Sequence, residues 1–192
     1  MKDSNESKGA PPSRSRVEEE LLKARTLMIF GEINQEVAKA FSERILVLDR
    51  ESNEPIRVFI NSEGGHVESG DTIFDMIRFV ASPVKVIGTG WVASAGALIF
   101  AAAQKENRLC LPNTRFMIHQ PLGGVRGQAS DIGIEAQEIL KMRDRLNQTF
   151  AEQTGQPLER IERDSDRNFW MSAEEAQAYG LVGRIIKSVK EI

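Results

Sequence analysis

The sequence predicts a single α/β domain built on strand–helix crossover units, and three observations predict it. Short aliphatic or β-branched runs alternate with segments of helical period along most of the chain. Its 192 residues suffice for one domain with a full core. The composition, 41% hydrophobic and 28% charged, is that of an ordinary globular protein and excludes disorder, collagen-like sequence and a disulfide-stapled miniprotein.

Taken in order, residues 1–16 carry charges and small polar residues but no apolar centre, so they read as a flexible polar tail, neither secretory signal nor transit peptide. Residues 17–192 form the domain. Val17 to Arg25 reads as helix, and Thr26 to Phe30 as a short strand ending at Gly31. Asn34 caps a helix whose apolar residues Val37, Phe41, Ile45 and Leu48 share one face of a 3.6-residue period. Pro55 opens the strand Ile56 to Ile60; the turn Asn61 to Gly65 follows, then a helix with Ile73, Ile77 and Val80 on one side.

Val86 to Gln104 is 19 residues without a charge, the length of a borderline membrane span. Gly88, Gly90, Ser94 and Gly96 interrupt it, and a β-branched run changes at Gly90 into an Ala-rich one, which predicts a buried strand, a turn and a buried helix. Strands Arg108 to Leu111 and Arg115 to Ile118 flank the turn Pro112-Asn113. A glycine-rich arm, Pro121 to Gly127, leads into a long helix from about Ser130 to Gln153, with Ile132, Ile139, Met142, Leu146 and Phe150 in period and Gly155 and Pro157 as its stop. Ser172 and Glu175 make a capping box for a last helix closed by Gly180, before a final strand from Leu181 to Val189.

Lys plus Arg number 25 against 28 Asp plus Glu, a formal charge of −3, so the footprint of a nucleic-acid binder or polybasic membrane-surface protein is missing. No nucleic-acid or membrane partner is expected. The single cysteine, Cys110, excludes an intramolecular disulfide and a cysteine zinc cluster, and fits a reducing, cytoplasmic compartment. The two histidines, His66 and His119, cannot form the His-x-x-x-His pair of a zinc metalloprotease. Neither a metal nor a cofactor is expected.

Chemistry concentrates in three places. In Gly90-Trp91-Val92-Ala93-Ser94-Ala95-Gly96-Ala97, a serine at the start of an Ala-rich helix has small neighbours that admit a substrate carbonyl, and the Ala95 N–H is a candidate oxyanion donor; a plain helix cap is the bland alternative. His119 follows an apolar strand and precedes Gln120-Pro121, a strand-end position suited to a catalytic group or to a hydrogen-bonded structural histidine. Asn61-Ser62-Glu63-Gly64-Gly65 has paired glycines that can aim N–H groups at an anion, or form a simple turn. His66, between Glu63 and Glu68, reads as a partly exposed polar residue with too few partners for a metal site. Together a nucleophile, a base and two N–H donors are the parts of acyl transfer through a tetrahedral intermediate.

At these residues the chain resembles the proteolytic subunit of the Clp protease (ClpP), a self-compartmentalised serine peptidase. The resemblance runs from about Leu21 to Ile186 and is carried by INSEGGHVESG (60–70), GWVASAGA (90–97), CLPNTRFMIHQPLGGVRGQASDI (110–132) and IERDSDRNFWMSAEEAQAYGLVG (161–183). It implies a ClpP/crotonase-like α/β fold with a protruding handle at about 121–155, two heptameric rings stacked face to face, and unfolded polypeptide delivered by a Clp-type AAA+ ATPase. It further implies Ser94 as nucleophile, His119 as general base, and the backbone N–H groups of Gly65 and Ala95 as the oxyanion hole. Gly123, Gly124 and Val125, within a handle strand Gly123 to Ala129, would pair with substrate as an added β-strand. Asp166 and Arg167 resemble the pair that couples ring contact to active-site order.

Asn168 departs from this pattern, since the family's third triad residue is an aspartate. An amide oxygen can accept the imidazole N–H but supplies no charge to imidazolium; the same replacement in a trypsin-type triad costs about 10⁴ in turnover. Asp164 and Asp166 are close in sequence, and the sequence does not decide whether either substitutes. Glu63 replaces a usual proline, Arg57 stands where the family has an aromatic of the ATPase-docking pocket, and the tail before Val17 lacks the apolar residues of the axial loops. The expectation is a serine endopeptidase subunit, a second paralogue supported by a partner ring. A catalytically impaired structural subunit and a crotonase-type acyl-CoA enzyme are the alternatives.

Overall fold

The computed structural model describes residues 14–121 and 126–192. Among the described residues, seven strands form one sheet: β1 (Thr26–Ile33), β2 (Ile56–Gly65), β3 (Val84–Ala93), β4 (Arg108–Cys110), β5 (Arg115–Ile118), β6 (Phe169–Met171) and β7 (Arg184–Ile185). Seven α-helices accompany them there: α1 (Arg14–Lys23), α2 (Gln35–Glu51), α3 (Val67–Phe79), α4 (Ala95–Ala101), α5 (Ala129–Thr154), α6 (Leu158–Ser165) and α7 (Ala173–Tyr179). The main path is β1-β2-β3-β4-β7, all parallel, as strand–helix–strand crossovers require. Besides its pairing with β2, β3 pairs through Val86 to Gly88 with β4 and through Trp91 to Ala93 with β5, which carries the antiparallel β6.

The crossovers form where the apolar period lies. Asn34 caps α2 by accepting the Val37 N–H at 3.0 Å, and Ala38, Phe41, Ile45 and Leu48 are buried. The buried face of α3 carries Ser69, Gly70, Ile73 and Ile77, while Val80 is its half-buried C-cap. α4 is buried along its whole length, and β2 alternates, with Ile56, Val58, Ile60, Ser62 and Gly64 inward. The borderline apolar run is thus β3 plus α4; among the described residues no helix is long and apolar enough to cross a membrane.

Several expected boundaries move. α1 starts at Arg14, inside the expected tail; residues 1–13 lie outside the described residues. β1 continues to Ile33 and β2 through the expected Asn61 to Gly65 turn, because Glu32 and Ile33 pair with Gly64 and Gly65 beyond a register shift. β3 passes Gly90 and ends at Ala93, so the strand-to-helix change falls at Ser94. The final strand shrinks to Arg184–Ile185, with Leu181 and Val182 buried in irregular chain. α6 and β6 occupy a stretch to which the sequence assigned no element. Ile132, expected on the apolar face of the long helix, is exposed, whereas Leu146 and Phe150 are buried.

A buried cation ties the far ends of three segments together. Arg108, 3% exposed, donates from Nε to Ala103 O just beyond α4 (2.8 Å), and from Nη1 to Gln153 O at the end of α5 (2.8 Å) and to Leu181 O (3.4 Å). Carbonyls at helix C-termini suit a cation, and burial pulls the guanidinium pKa down to about 10. Replacing Arg108 with Met should lower unfolding stability by about 2–4 kcal/mol in urea titrations, since the freed carbonyls stay buried. An unchanged midpoint would show that these bonds contribute nothing net.

Candidate active site

Ser94 occupies the one-residue turn between β3 and α4, with φ 55° and ψ −122°, a conformation a side-chain-bearing residue adopts only when its surroundings compel it. The compulsion is visible. Ser94 N–H donates to Met117 O on β5 (2.9 Å), adding one more rung after Ala93↔Met117, and Ser94 O accepts from Ala97 and Leu98 in the first turn of α4. On the other side, a Cβ added to Gly64 would come within 2.6 Å of the Ser94 Cβ and 3.0 Å of its Oγ. Gly64 has φ 106° and its N–H donates to Ser62 Oγ (3.0 Å), so Gly64 presses its bare backbone against Ser94, while Gly65 lies against the Ile33 backbone.

His119 follows β5 by one residue and Asn168 precedes β6 by one, so these two flank the last rung, Ile118↔Phe169. The imidazole bridges Ser94 and Asn168. Its Nε2 lies 2.8 Å from Ser94 Oγ and its Nδ1 2.9 Å from Asn168 Oδ1. With the amide oxygen facing the ring, Nδ1–H donates to Asn168 and Nε2 is left to accept the Ser94 hydroxyl proton. Ser94 and His119 are half-buried and Asn168 is exposed.

Neither nearby aspartate takes the place of Asn168. Asp164 Oδ2 accepts the Tyr179 hydroxyl (3.0 Å), and both its oxygens face Arg160 and Arg163; burial, then that hydrogen bond, raises the Tyr179 pKa. Asp166 O accepts Gln120 Nε2 at 2.8 Å. Asp166 and Arg167 form only a 4.0 Å pair, with side chains 70% and 93% exposed. His66 is engaged locally, its Nδ1 2.8 Å from the buried Ser69 Oγ and its Nε2 3.2 Å from Glu68. Burial, with a smaller push from Glu174, raises the Cys110 thiol to about 12, so it is no competing nucleophile at neutral pH.

Gly123, Gly124 and Val125 lie outside the described residues; of the expected handle strand, Ala129 is instead the first residue of α5. Gly65 follows Gly64 at the end of β2, and Ala95 opens α4, where the first N–H groups have no intrahelical acceptor. The sequence did not disclose Gln120 or the Trp91–Trp170 pair. The two indoles stack at 6.3 Å and 13°, and the Arg115 guanidinium lies 4.4 Å above the Trp170 ring. A polar residue directly after a buried strand and its histidine was the available signal for Gln120.

The Clp protease family matches residues 9–189 of this sequence. The chain belongs to the Clp protease family. Among curated relatives, the ATP-dependent Clp protease proteolytic subunit 2 of Gluconobacter oxydans is 58% identical over 99% of this chain and 85% of its own. The proteolytic subunit 3 of Rhizobium meliloti is 56% identical over 99% and 97%. Among solved structures, ClpP1 from Listeria monocytogenes superposes with a TM-score of 0.83 at 54% identity, covering 91% of this chain and 98% of that one. An Asn-to-Asp mutant of that ClpP1 gives 0.85 at 55% over the same shares. The α/β fold is that of a Clp proteolytic subunit, and this Clp protease member is a serine endopeptidase subunit rather than a crotonase-type enzyme.

In this Clp protease chain, Gly64→Ala should displace Ser94 while leaving the domain folded, because the added Cβ meets the Ser94 side chain head on. Fluorophosphonate labelling of Ser94 should slow by about 100-fold or more, the scale of a misplacement near 1 Å, with circular dichroism unchanged. Labelling at the wild-type rate would remove Gly64 as the support of the serine.

Proposed function

We propose that Ser94, His119 and Asn168 act as the catalytic line, with the backbone N–H groups of Gly65 and Ala95 receiving the oxyanion. The observation that carries this reading is the imidazole bridge, 2.8 Å to Ser94 Oγ and 2.9 Å to Asn168 Oδ1. As Ser94 Oγ attacks the scissile carbonyl carbon, its proton passes to His119 Nε2 and the carbonyl oxygen becomes the oxyanion. The imidazolium then protonates the leaving amine as the C–N bond breaks, leaving an acyl-enzyme on Ser94. Water attacks the ester with His119 again as base, releasing the acid and restoring the serine. Asn168 holds the ring in the productive tautomer but brings no negative charge to the imidazolium. Ser94→Ala should abolish peptide cleavage and fluorophosphonate labelling without changing native mass; persistent cleavage by a contaminant-free sample would exclude Ser94 as nucleophile.

We infer that the working unit is two stacked heptameric rings served by a Clp-type ATPase that feeds unfolded polypeptide, in the cytoplasm. The handle residues Gly123, Gly124 and Val125 would align substrate as an added strand. Asp166 and Arg167, exposed and weakly paired, suit a contact between rings. Docking is the weaker function, since Arg57 donates to Ala24 O (2.6 Å) and fills the strand position where the family places an aromatic.

The uncharged Asn168 favours a second reading, a subunit of low intrinsic activity in a mixed barrel. Asn168→Asp separates the two. In intact rings it should raise peptide turnover by about tenfold, far below the trypsin-type factor of about 10⁴, because the exposed carboxylate is screened by water. The gain should fall on kcat rather than KM. Unchanged turnover in rings of correct native mass would show that the missing carboxylate does not restrain the site.

A further inference from the structure

The pair His119–Asn168 is bracketed by two different devices. On one side stands the ladder rung Ile118↔Phe169, the last of the β5–β6 pairing. Beyond the pair the two chains no longer run as strands, because residues 165–167 turn out of the C-terminus of α6. There Gln120 closes the bracket. Its backbone N–H donates to Ser165 O at 2.6 Å, and its side-chain Nε2 donates to Asp166 O at 2.8 Å and, more weakly, to Asp166 Oδ1 at 3.4 Å.

These carbonyls belong to the last turn of α6 and its C-cap, where no intrahelical N–H remains to satisfy them. Their mooring is firm. The Ser165 hydroxyl, buried at 2% exposure, donates to Asn147 Oδ1 of α5 at 3.0 Å, and Asn147 is itself buried. Asn168, by contrast, is exposed and has no ladder bond of its own in the β5–β6 register. Its amide oxygen can face His119 Nδ1 only while Asp166 and Arg167, the two residues between Ser165 and Asn168, keep their path.

We propose that Gln120 is a positioning residue for the catalytic line, its side-chain amide clamping the Asp166 carbonyl so that Asn168 Oδ1 stays on His119 Nδ1. The inference rests on the Ser94–His119–Asn168 reading. It assigns Gln120 no contact with substrate and no proton to move. The clamp joins the two residues flanking the imidazole in opposite directions of the fold, Gln120 next to His119 in sequence and Asp166 two residues before Asn168.

The test is a double-mutant cycle on assembled rings, with native mass measured in each sample. Gln120→Ala keeps the backbone bond to Ser165 and loses only the amide clamp, so kcat for a fluorogenic peptide should fall about tenfold with KM unchanged. In an Asn168→Ala background, where nothing remains for the clamp to aim, the same substitution should cost less than about twofold. Gln120→Glu keeps the shape but sets an acceptor against the Asp166 carbonyl and carboxylate, next to Arg167. Protonation restores a donor; the Asp166 charge favours that neutral form and the Arg167 guanidinium opposes it. Its kcat relative to wild type at the same pH should therefore climb as the pH falls from about 7 toward about 4.5, the ordinary range of a glutamate. Equal losses in both Asn168 backgrounds, a loss confined to KM, or a pH-independent Glu ratio would overturn the proposal. Ser94→Ala, run alongside, tests the underlying reading separately: cleavage surviving in it would bring down the catalytic assignment itself.

Discussion

The hydrogen bond from Ser94 N–H to Met117 O is the constraint on which the rest of the site depends. It extends the β3–β5 ladder by one rung past the end of β3, and so ties Ser94 to Met117, two residues before His119 on the neighbouring strand. A strand slip of one residue would send His119 to the opposite face of the sheet. The positive φ of Ser94 follows from the same bond, because the chain must leave the ladder and begin α4 within one residue. Gly64 behind and Gly96 beside Ser62 let these backbones close to a distance that side chains would prevent. Asn168 enters through β6, which exists only because β5 offers it a free edge.

Much of this was legible in the sequence, for reasons that can be named. The apolar periods of α2 and α3, the Asn34 cap and the Ser172–Glu175 box are local signals, and each produced the element it predicts. The glycine pair misled because glycine after a strand usually means a turn, whereas here Gly64 and Gly65 continue pairing with Glu32 and Ile33. α6 reads as charge, with Ile161 its one buried apolar side chain, and β6 is too short for a period to show. The identities of Ser94 and His119 could be read from motif context. The closure by Gln120 could not, since it depends on α6 returning to the end of β5 across some 45 residues of chain.

The electrostatic economy of the molecule runs opposite to expectation. Its most buried charge, Arg108, meets carbonyl oxygens at helix ends, a structural use of a cation. The Ser94–His119–Asn168 line, half-buried but for Asn168, contains no permanent charge, so the field at the imidazole comes from hydrogen-bond dipoles and from solvent. Side chains hold geometry there more than they supply potential.

The stacked indoles give the molecule a spectroscopic property. Trp91 and Trp170 are the sole tryptophans in the sequence, and they sit three residues before Ser94 and two after Asn168. Excitation at the red edge of aromatic absorption therefore lights a single spot of the fold. Any quenching, exciton splitting or wavelength shift in that signal arises at the joint between β3, β5 and β6, so the unlabelled chain carries an optical gauge of the geometry around Ser94, His119 and Asn168.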